Sequence, residues 1–365
     1  MESILVTGGA GFIGSHLARE LLACGYHVRV LDSLVGQVHD DGGDRPEYLS
    51  DDAELHVADV RDVDALRRAL DGVDGVIHLA ARVGVGQSMY ELADYVDVNS
   101  RGTALLLQAL LDRPVQKLLV ASSMSIYGEG ATDPVSAVER RRVDLEARRF
   151  EPTGPGGEEL TPIPTPETKP AANSSVYALT KYDQERLCLV FGEAYSIPTV
   201  ALRFFNVYGP YQALSNPYTG VLAIFASRLL NGRPPLVFED GGQRRDFVNV
   251  SDVARACRLA LETDGADGRS INIGSGHSVT VSEIASKLGD VLGIAIEPEV
   301  TGKFRAGDIR HCFADITLAR RLLGYEPAVA LAEGMVELAD WLETQTAVDR
   351  VDDATAELVS RGLAR

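Results

Sequence analysis

From Thr7 to Gly14 the chain reads Thr-Gly-Gly-Ala-Gly-Phe-Ile-Gly, and this run limits the fold more than any other feature. It follows a short apolar stretch, SILVT (3–7), and opens an amphipathic stretch that ends near Gly25. Glycines at 8, 11 and 14 permit a tight strand-to-helix turn and let backbone N–H groups approach a pyrophosphate. The helix start adds partial positive charge. The next apolar run, HVRVLD, ends at Asp32. That is close to the roughly 20-residue spacing at which a carboxylate meets the ribose hydroxyls of a bound dinucleotide. The same carboxylate would repel a 2′-phosphate, so the cofactor read from these residues is NAD rather than NADP. Asp59-Val60 ends a further strand, where it would meet the adenine edge or cap the following helix.

Strand-like and helix-like runs alternate from here. ELHVAD precedes a helix through 63–70, and GVIHLAA precedes a helical stretch at 89–112. KLLVASS (117–123), a helix at 175–195 and a strand at 198–205 follow, and residues 33–53 read as loop. Such alternation predicts an α/β fold: a Rossmann-like, doubly wound parallel sheet with helices on both faces. The expected organisation is an NAD-binding domain over 1–205, interrupted by an insertion at 129–173. A smaller C-terminal α/β substrate lobe over 206–345 and a charged helix or tail over 346–365 complete it. The insertion is rich in Pro, Gly, Glu and Arg, with a charged helix expected near 137–149. It reads as a surface excursion or a lid.

Composition excludes several classes. A formal charge of −18, from 35 basic and 53 acidic residues, makes nucleic acid and anionic membrane poor generic partners. An anionic substrate must then be met by a few local arginines. No apolar run approaches the ~20 residues that span a bilayer, and MESILVTGG carries no signal-peptide pattern, so a cytoplasmic protein is expected. Cys24, Cys188, Cys257 and Cys312 are far apart. They read as buried reduced thiols, and no metal site is expected.

Tyr177-Ala-Leu-Thr-Lys181 sets a phenol and an ammonium four residues apart, on one face of a helix. A phenol near pKa 10 is a poor base at neutral pH. A nearby Lys⁺ and a positive nicotinamide ring would favour the phenolate. The strand ahead of it runs into Ser122-Ser123-Met124-Ser125-Ile126-Tyr127-Gly128. A hydroxyl at that strand end can bond both the substrate oxygen and the tyrosine.

TGGAGFIG, HLAA (78–81), VNSRGT (98–103), SSMSIYG, YALTK and RFFNVYGP (203–210), in this order, resemble the extended short-chain dehydrogenase/reductase family. More narrowly they resemble its NAD-dependent nucleotide-sugar epimerase/dehydratase branch, over roughly 3–345 outside the insertion. The resemblance implies that Gly8, Gly11, Phe12, Ile13 and Gly14 cradle the pyrophosphate and Asp32 holds the adenosine ribose. Asp59 and Val60 would face the adenine, Leu79, Ala80 and Ala81 would line the dinucleotide path, and Asn99 would lie near the strand ends. Tyr177 would be the base, Lys181 would hold the nicotinamide ribose, and Ser123 would be the hydroxyl partner, with Ser125 beside it. Phe205 and Asn206 would sit where nicotinamide and sugar diphosphate meet. GGQRRDFVNVSD (241–252) and RAGDIRH (305–311) match segments that grip the diphosphate, so Arg245 and Arg305 carry over, with Asp308 as a ribose or arginine partner. Arginine suits this task through its bidentate fork. Val237 and Phe238 would lie flat on the base or belong to the core.

The implied first step is oxidation of a sugar hydroxyl to a 4-keto intermediate, with Tyr177 taking the proton and NAD⁺ the hydride. An epimerase returns the hydride to the opposite face. A 4,6-dehydratase needs an acid and a base where its relatives read S-T-D-E-V-Y, and this chain has Met124-Ser125 there. Epimerisation at C4 of a dTDP- or UDP-hexose is therefore expected. A decarboxylase shares the first step, a net 4-ketoreductase would consume external NADH, and a non-catalytic NAD sensor would lack the tyrosine–lysine pair. The finer resemblance is to dTDP-L-rhamnose 4-epimerase-like proteins. Many of those carry cysteine pairs resembling a zinc knuckle in the insertion, where this chain has FEPTGPGGEELTPIPTPE. The resemblance also implies a homodimer packed through helices 89–112 and 175–195, although Leu187, Leu189, Val190 and Phe191 fit an internal core equally well.

Overall fold

Seven strands pair in parallel: β1 (Ser3–Thr7), β2 (His27–Asp32), β3 (Glu54–Val57), β4 (Gly75–His78), β5 (Lys117–Ser123), β6 (Thr199–Phe204) and β7 (Ser270–Ile273). Their order is β7-β6-β5-β4-β1-β2-β3. The computed structural model describes residues 1–365 apart from 40–43, 136, 137, 139, 219 and 306. Every residue of β5 is buried, because helices cover both faces of a parallel sheet. Alternation divides the core. Ile4 and Val6 face helices α1 (Phe12–Ala23) and α4 (Val250–Glu262) through Leu17, Leu21, Val253 and Leu261. Leu5, Val76 and Val120 face the other layer, where α2 (Gly102–Asp112) supplies Leu106 and Leu110 and α3 (Val176–Tyr195) supplies Cys188. Each such Leu contributes roughly 1.5–3 kcal/mol on burial.

Thr7 pairs with Leu31 on one side and His78 on the other. The chain reverses its winding direction here, so a crevice opens beyond the strand ends of β1 and β4. The expected helix over 89–112 is broken. A turn of helix at Leu92–Tyr95 runs into a π-helical stretch, Val96–Arg101, before α2 begins.

Beyond 206 the chain builds a second core from helices Val221–Leu230, Val281–Val291 and Leu331–Leu342 around Tyr208 and Phe225. The expected boundary at 205 does not separate the layers cleanly. Helix α4 and strand β7 return to the large sheet, where Ser270 pairs with Ala201 and Ile273 with Phe204. Their return covers the edge that β6 would otherwise expose. The insertion is smaller in regular structure than expected and better anchored. Ala131–Asp133 and Thr161–Ile163 form a hairpin. Its described helix is only Arg142–Glu146; the expected start at Ala137 lies outside the described residues. Phe150 and Leu160 are buried, and Glu151 pairs with Arg310 and His311 of the second lobe. Among the thiols, Cys188, Cys257 and Cys312 are buried, but Cys24 is exposed after α1.

His16 fastens α1 to the second lobe by donating from Nε2 to the Pro210 carbonyl at 3.1 Å. Burial lowers its pKa from 6.5 to about 4. The unfolded chain therefore binds a proton that the folded chain excludes, so stability from this site is complete above pH 6.5 and declines toward pH 4. The loss is up to ~1.4 kcal/mol per pH unit. His16→Gln, which keeps a donor for Pro210, should flatten the fall in melting temperature between about pH 6.5 and 4. An unchanged slope would assign that acid sensitivity to other groups.

Candidate active site

The turn after β1 holds Gly8 at φ +69, where a Cβ would stand 2.8 Å from the Ala80 nitrogen. At Gly14 a Cβ would stand 2.5 Å from the Gly8 carbonyl oxygen. These two glycines let the turn, the helix and the end of β4 touch at backbone distance. At Gly11 a Cβ would meet only the Gly8 oxygen, at 3.4 Å, so its outer side stays open to the crevice. Gly11 precedes α1 with no side-chain cap, which leaves helix N–H groups for a ligand.

Asp32 stands at the crevice edge. Its Oδ2 accepts from Ala10 N and its Oδ1 from Leu34 N, both at 3.0 Å. Asp59 lies further along the wall and is grasped by Arg61, Nε to Oδ1 at 2.8 Å and Nη2 to Oδ2 at 2.6 Å. This contact holds its carboxyl below the usual range. The helix-capping alternative for Asp59 falls to Asp62, which accepts from the N–H groups of Asp64 and Ala65. Gly8, Gly11, Phe12, Ile13, Gly14, Asp32, Asp59, Val60, Leu79, Ala80, Ala81, Tyr177, Lys181 and Phe205 all line this one crevice.

Ser175 caps α3 by accepting from Ala178 N, and one turn separates Tyr177 from Lys181. Ser88 Oγ accepts from the Tyr177 N–H at 3.0 Å, and the Tyr95 ring meets the Tyr177 ring edge-on at 6.5 Å. Burial pushes the Tyr177 phenol up, and a hydrogen bond with Ser123 pulls it down. Lys181 donates to Gln184 Oε1 at 2.7 Å. Among the described residues no carboxylate lies within 4.0 Å of its Nζ. Burial brings it down to about 8, and two of its three donors remain for a ligand.

A second cleft shares Ser123, Tyr177, Phe205 and Asn206 with the first and is also lined by Met124, Ser125, Phe238, Arg245, Arg305 and Asp308. Arg245 donates to the carbonyls of Arg244 (3.0 Å), Arg310 (2.9 Å) and Ile309. No carboxylate lies within 4.0 Å of it among the described residues, and burial lowers its pKa. Asp308, Glu129 and Glu239 act on it only at longer range, and a partly desolvated guanidinium with no carboxylate in direct contact favours an anionic ligand. Arg305 stacks over Phe238 at 4.4 Å and pairs with Asp308 at 2.8 Å.

Asn99 and Val237 are not among the residues lining the two clefts. Asn99 is fully buried. Its amide accepts from Arg82 N at 2.6 Å and donates to Arg82 O at 3.1 Å and Thr180 Oγ1 at 3.0 Å, so it braces the wall instead of lining it. Val237 packs in the second core, while Leu236 and Phe238 reach the cleft. Gln184, the acceptor for Lys181, follows YxxxK by three residues and was legible only as a helix-face position. Val83, which lines both clefts, carries no sequence signal.

A glycine turn beneath a helix start, a half-buried tyrosine with a buried lysine one turn on, and two clefts meeting at a serine hydroxyl define a dinucleotide-binding site of the oxidoreductase type on a Rossmann-like fold. The chain belongs to the NAD dependent epimerase/dehydratase family, whose model matches residues 4–274. It is similar to dTDP-L-rhamnose 4-epimerase of Burkholderia thailandensis, 37% identical over 353 residues, which covers 93% of this chain and 95% of the relative. Among solved structures, UDP-glucose 4-epimerase of Thermotoga maritima with UDP-glucose matches at TM-score 0.78 and 33% identity, over 93% of this chain and 98% of that one. UDP-glucose 4-epimerase of Thermus thermophilus in complex with NAD matches at TM-score 0.75 and 32% identity, over 94% and 100%.

Asn99→Ala should cost about 1–3 kcal/mol by leaving buried backbone groups unpaired. Urea melts would read this, with dinucleotide affinity changed only a few-fold. Lost affinity at unchanged stability would put Asn99 in contact with the cofactor.

Proposed function

We propose that the chain is an NAD-dependent nucleotide-sugar 4-epimerase acting on a dTDP- or UDP-hexose, with a dTDP-L-rhamnose-type sugar favoured. The observation that carries this reading is the junction of the two clefts at Ser123, Tyr177, Phe205 and Asn206. One cleft suits a dinucleotide and the other an anionic ligand gripped by arginine. The residues fit NAD: the Gly11 side of the turn is open, Asp32 is oriented by two backbone donors, and Lys181 keeps donors in reserve. Bound NAD supplies a hydride acceptor that also returns the hydride.

The chain's own groups do the rest. Tyr177 takes the proton of the sugar hydroxyl and later gives it back. Its phenol is buried, so the ionised form depends on positive charge nearby, which Lys181 supplies one turn away. Ser123 orients the oxygen that changes from hydroxyl to carbonyl. Arg245 and Arg305 hold the diphosphate while the keto sugar turns about that linkage. Elimination of water would need an acid and a base beside Ser123. Among the described residues lining the second cleft the only carboxylate is Asp308, already paired with Arg305. Epimerisation needs neither.

A second copy of this chain would cover Leu92, Val96, Leu179 and Val190, apolar side chains exposed on the two helical stretches expected to pair. Leu187, Leu189 and Phe191 are partly buried against the core, so of the four expected positions Val190 is the most exposed.

Tyr177→Phe should lower turnover by on the order of 10²–10⁴ with NAD still bound, and Ser123→Ala by about 10². Proton NMR of the sugar ring with a panel of dTDP- and UDP-sugars reads both substrate and stereochemistry. Near-normal epimerisation by Tyr177→Phe would remove it as the base, and stoichiometric consumption of added NADH would identify a reductase.

A further inference from the structure

The family match ends at residue 274, yet the second cleft is walled by residues far beyond it. Helix α5 (Val351–Ser360) places Val351, Ala354, Thr355 and Leu358 in that wall, and Leu363 follows. The sequence reads this stretch as a charged helix or tail. Val351, Ala354 and Leu358 instead recur at the spacing of one helix face and are buried.

The segment is pinned at both ends. Asp352 pairs with Arg228 at 2.6 Å and Arg233 at 2.8 Å. Beyond the helix, Arg365 and Phe304 exchange backbone hydrogen bonds of 2.9 and 3.0 Å, and Ala364 bridges to Arg305. Between the anchors, Arg361 lies 4.4 Å over the Tyr90 ring, whose hydroxyl meets that of Tyr218 at 2.6 Å.

This path relates the wall to the chemistry. Leu358 packs on Gly86, where a Cβ would stand 3.4 Å from both of its methyl groups. Gly86 belongs to the short helix Val85–Ser88, and Ser88 holds the N–H of Tyr177. Leu358 therefore borders the tyrosine end of the cleft, while Ala364 lies at the Arg305 end. Ala354 lies one turn before Leu358 on the same wall, Val83 and Met89 flank the Val85–Ser88 helix that Leu358 packs against, and Tyr218 also meets Gly86, all of them lining the cleft. The charged groups lining the cleft among the described residues are Arg245, Arg305 and Asp308, with Arg305 and Asp308 paired at the end that Ala364 reaches.

We propose that α5 is the sugar-facing wall of the cleft and that Leu358 is a specificity-determining residue, selecting a hexose whose outer edge is apolar. This rests on the nucleotide-sugar reading of the site. A 6-deoxyhexose presents a methyl group to such a wall. A hydroxymethyl loses its water partners there, and a uronate carboxylate is desolvated without a counter-charge. An apolar pocket discriminates against one added hydroxyl by about 10–100-fold, and against a charge by more.

The test uses the full-length, NAD-loaded chain and equilibrium binding of dTDP-hexoses of one configuration that differ only at carbon 6: methyl, hydroxymethyl or carboxylate. Free dTDP serves as the reference. Wild type should favour methyl over hydroxymethyl by about tenfold or more. Leu358→Ala should erase most of that preference with dTDP affinity unchanged. Thr355→Lys, at a half-buried position on the same wall, should raise carboxylate affinity relative to methyl, and it keeps the test open if Leu358→Ala does not fold. Normal dTDP binding with the same methyl-to-hydroxymethyl ratio in wild type and Leu358→Ala, or no gain for the carboxylate in Thr355→Lys, would overturn the role of the wall. Failure of wild type to bind dTDP, UDP and the hexoses carried on either would overturn the nucleotide-sugar reading, and the wall's role with it.

Discussion

The backbone of the Gly8 turn lies against Ala80 with no room for a side chain between them, and the geometry of both clefts follows from that contact. It fixes the end of β1 relative to the end of β4. From there a chain of buried hydrogen bonds runs to the chemistry. Thr7 Oγ1 meets His78 Nδ1 at 2.7 Å, and His78 Nε2 meets Thr103 Oγ1 at 2.9 Å and Gln184 Nε2 at 3.1 Å. Gln184 in turn accepts from Lys181. Burial and the neighbouring lysine hold the His78 pKa at about 3, so the imidazole is neutral and leaves the ammonium as the single positive charge of this network. A protonated histidine would compete with Lys181 for the same glutamine and weaken its charge on the phenol side. The glycine turn and the tyrosine–lysine pair, far apart in sequence, are thus one polar assembly. Such an assembly is stable only when every buried member has a partner.

The same principle accounts for how so acidic a chain receives an anion. Its net charge of −18 is spread over the surface, where solvent and salt screen it. At the cleft the decisive charge is a desolvated arginine. Arg203, by contrast, is buried on Glu185, Nη2 to Oε1 at 2.6 Å, and serves to tie α3 to β6. Arg245 and Arg203 carry the same group in opposite roles, and the difference is whether a carboxylate within the fold already neutralises it.

Local segments were the legible ones. KLLVASS folds as β5 over the expected residues, and Tyr177 and Lys181 occupy one helix face, because these features depend on neighbours a few residues away. The motif puts Asn99 near the strand ends, beside the dinucleotide path. A π-helical stretch instead turns its amide toward the Arg82 backbone, and π-turns of this kind leave no mark in hydrophobic periodicity. Val237 ends a two-residue strand and faces the second core while Phe238, just beyond it, reaches the cleft, and only the packing of the second lobe decides which does which. The return of β7 to the large sheet and the arrival of α5 at the cleft are tertiary events. Their short apolar patterns fit several destinations, and the competing partners are distant in sequence.

The insertion shows how a segment without apolar periodicity can still be positioned. Glu129, at its start, accepts from the backbone N–H groups of Arg310 and His311 at 2.7 and 3.1 Å. Those contacts orient the peptide planes of this stretch, and the carbonyls of Ile309 and Arg310 are the ones that hold Arg245. A guanidinium held by carbonyls keeps donors and charge turned to the cleft, whereas one in a direct ion pair with Glu129 would not. By binding the N–H groups and not the arginine, the carboxylate fixes the cation's position at a distance. On the proposed reading, the insertion thereby contributes to recognition of an anion through the backbone that holds Arg245.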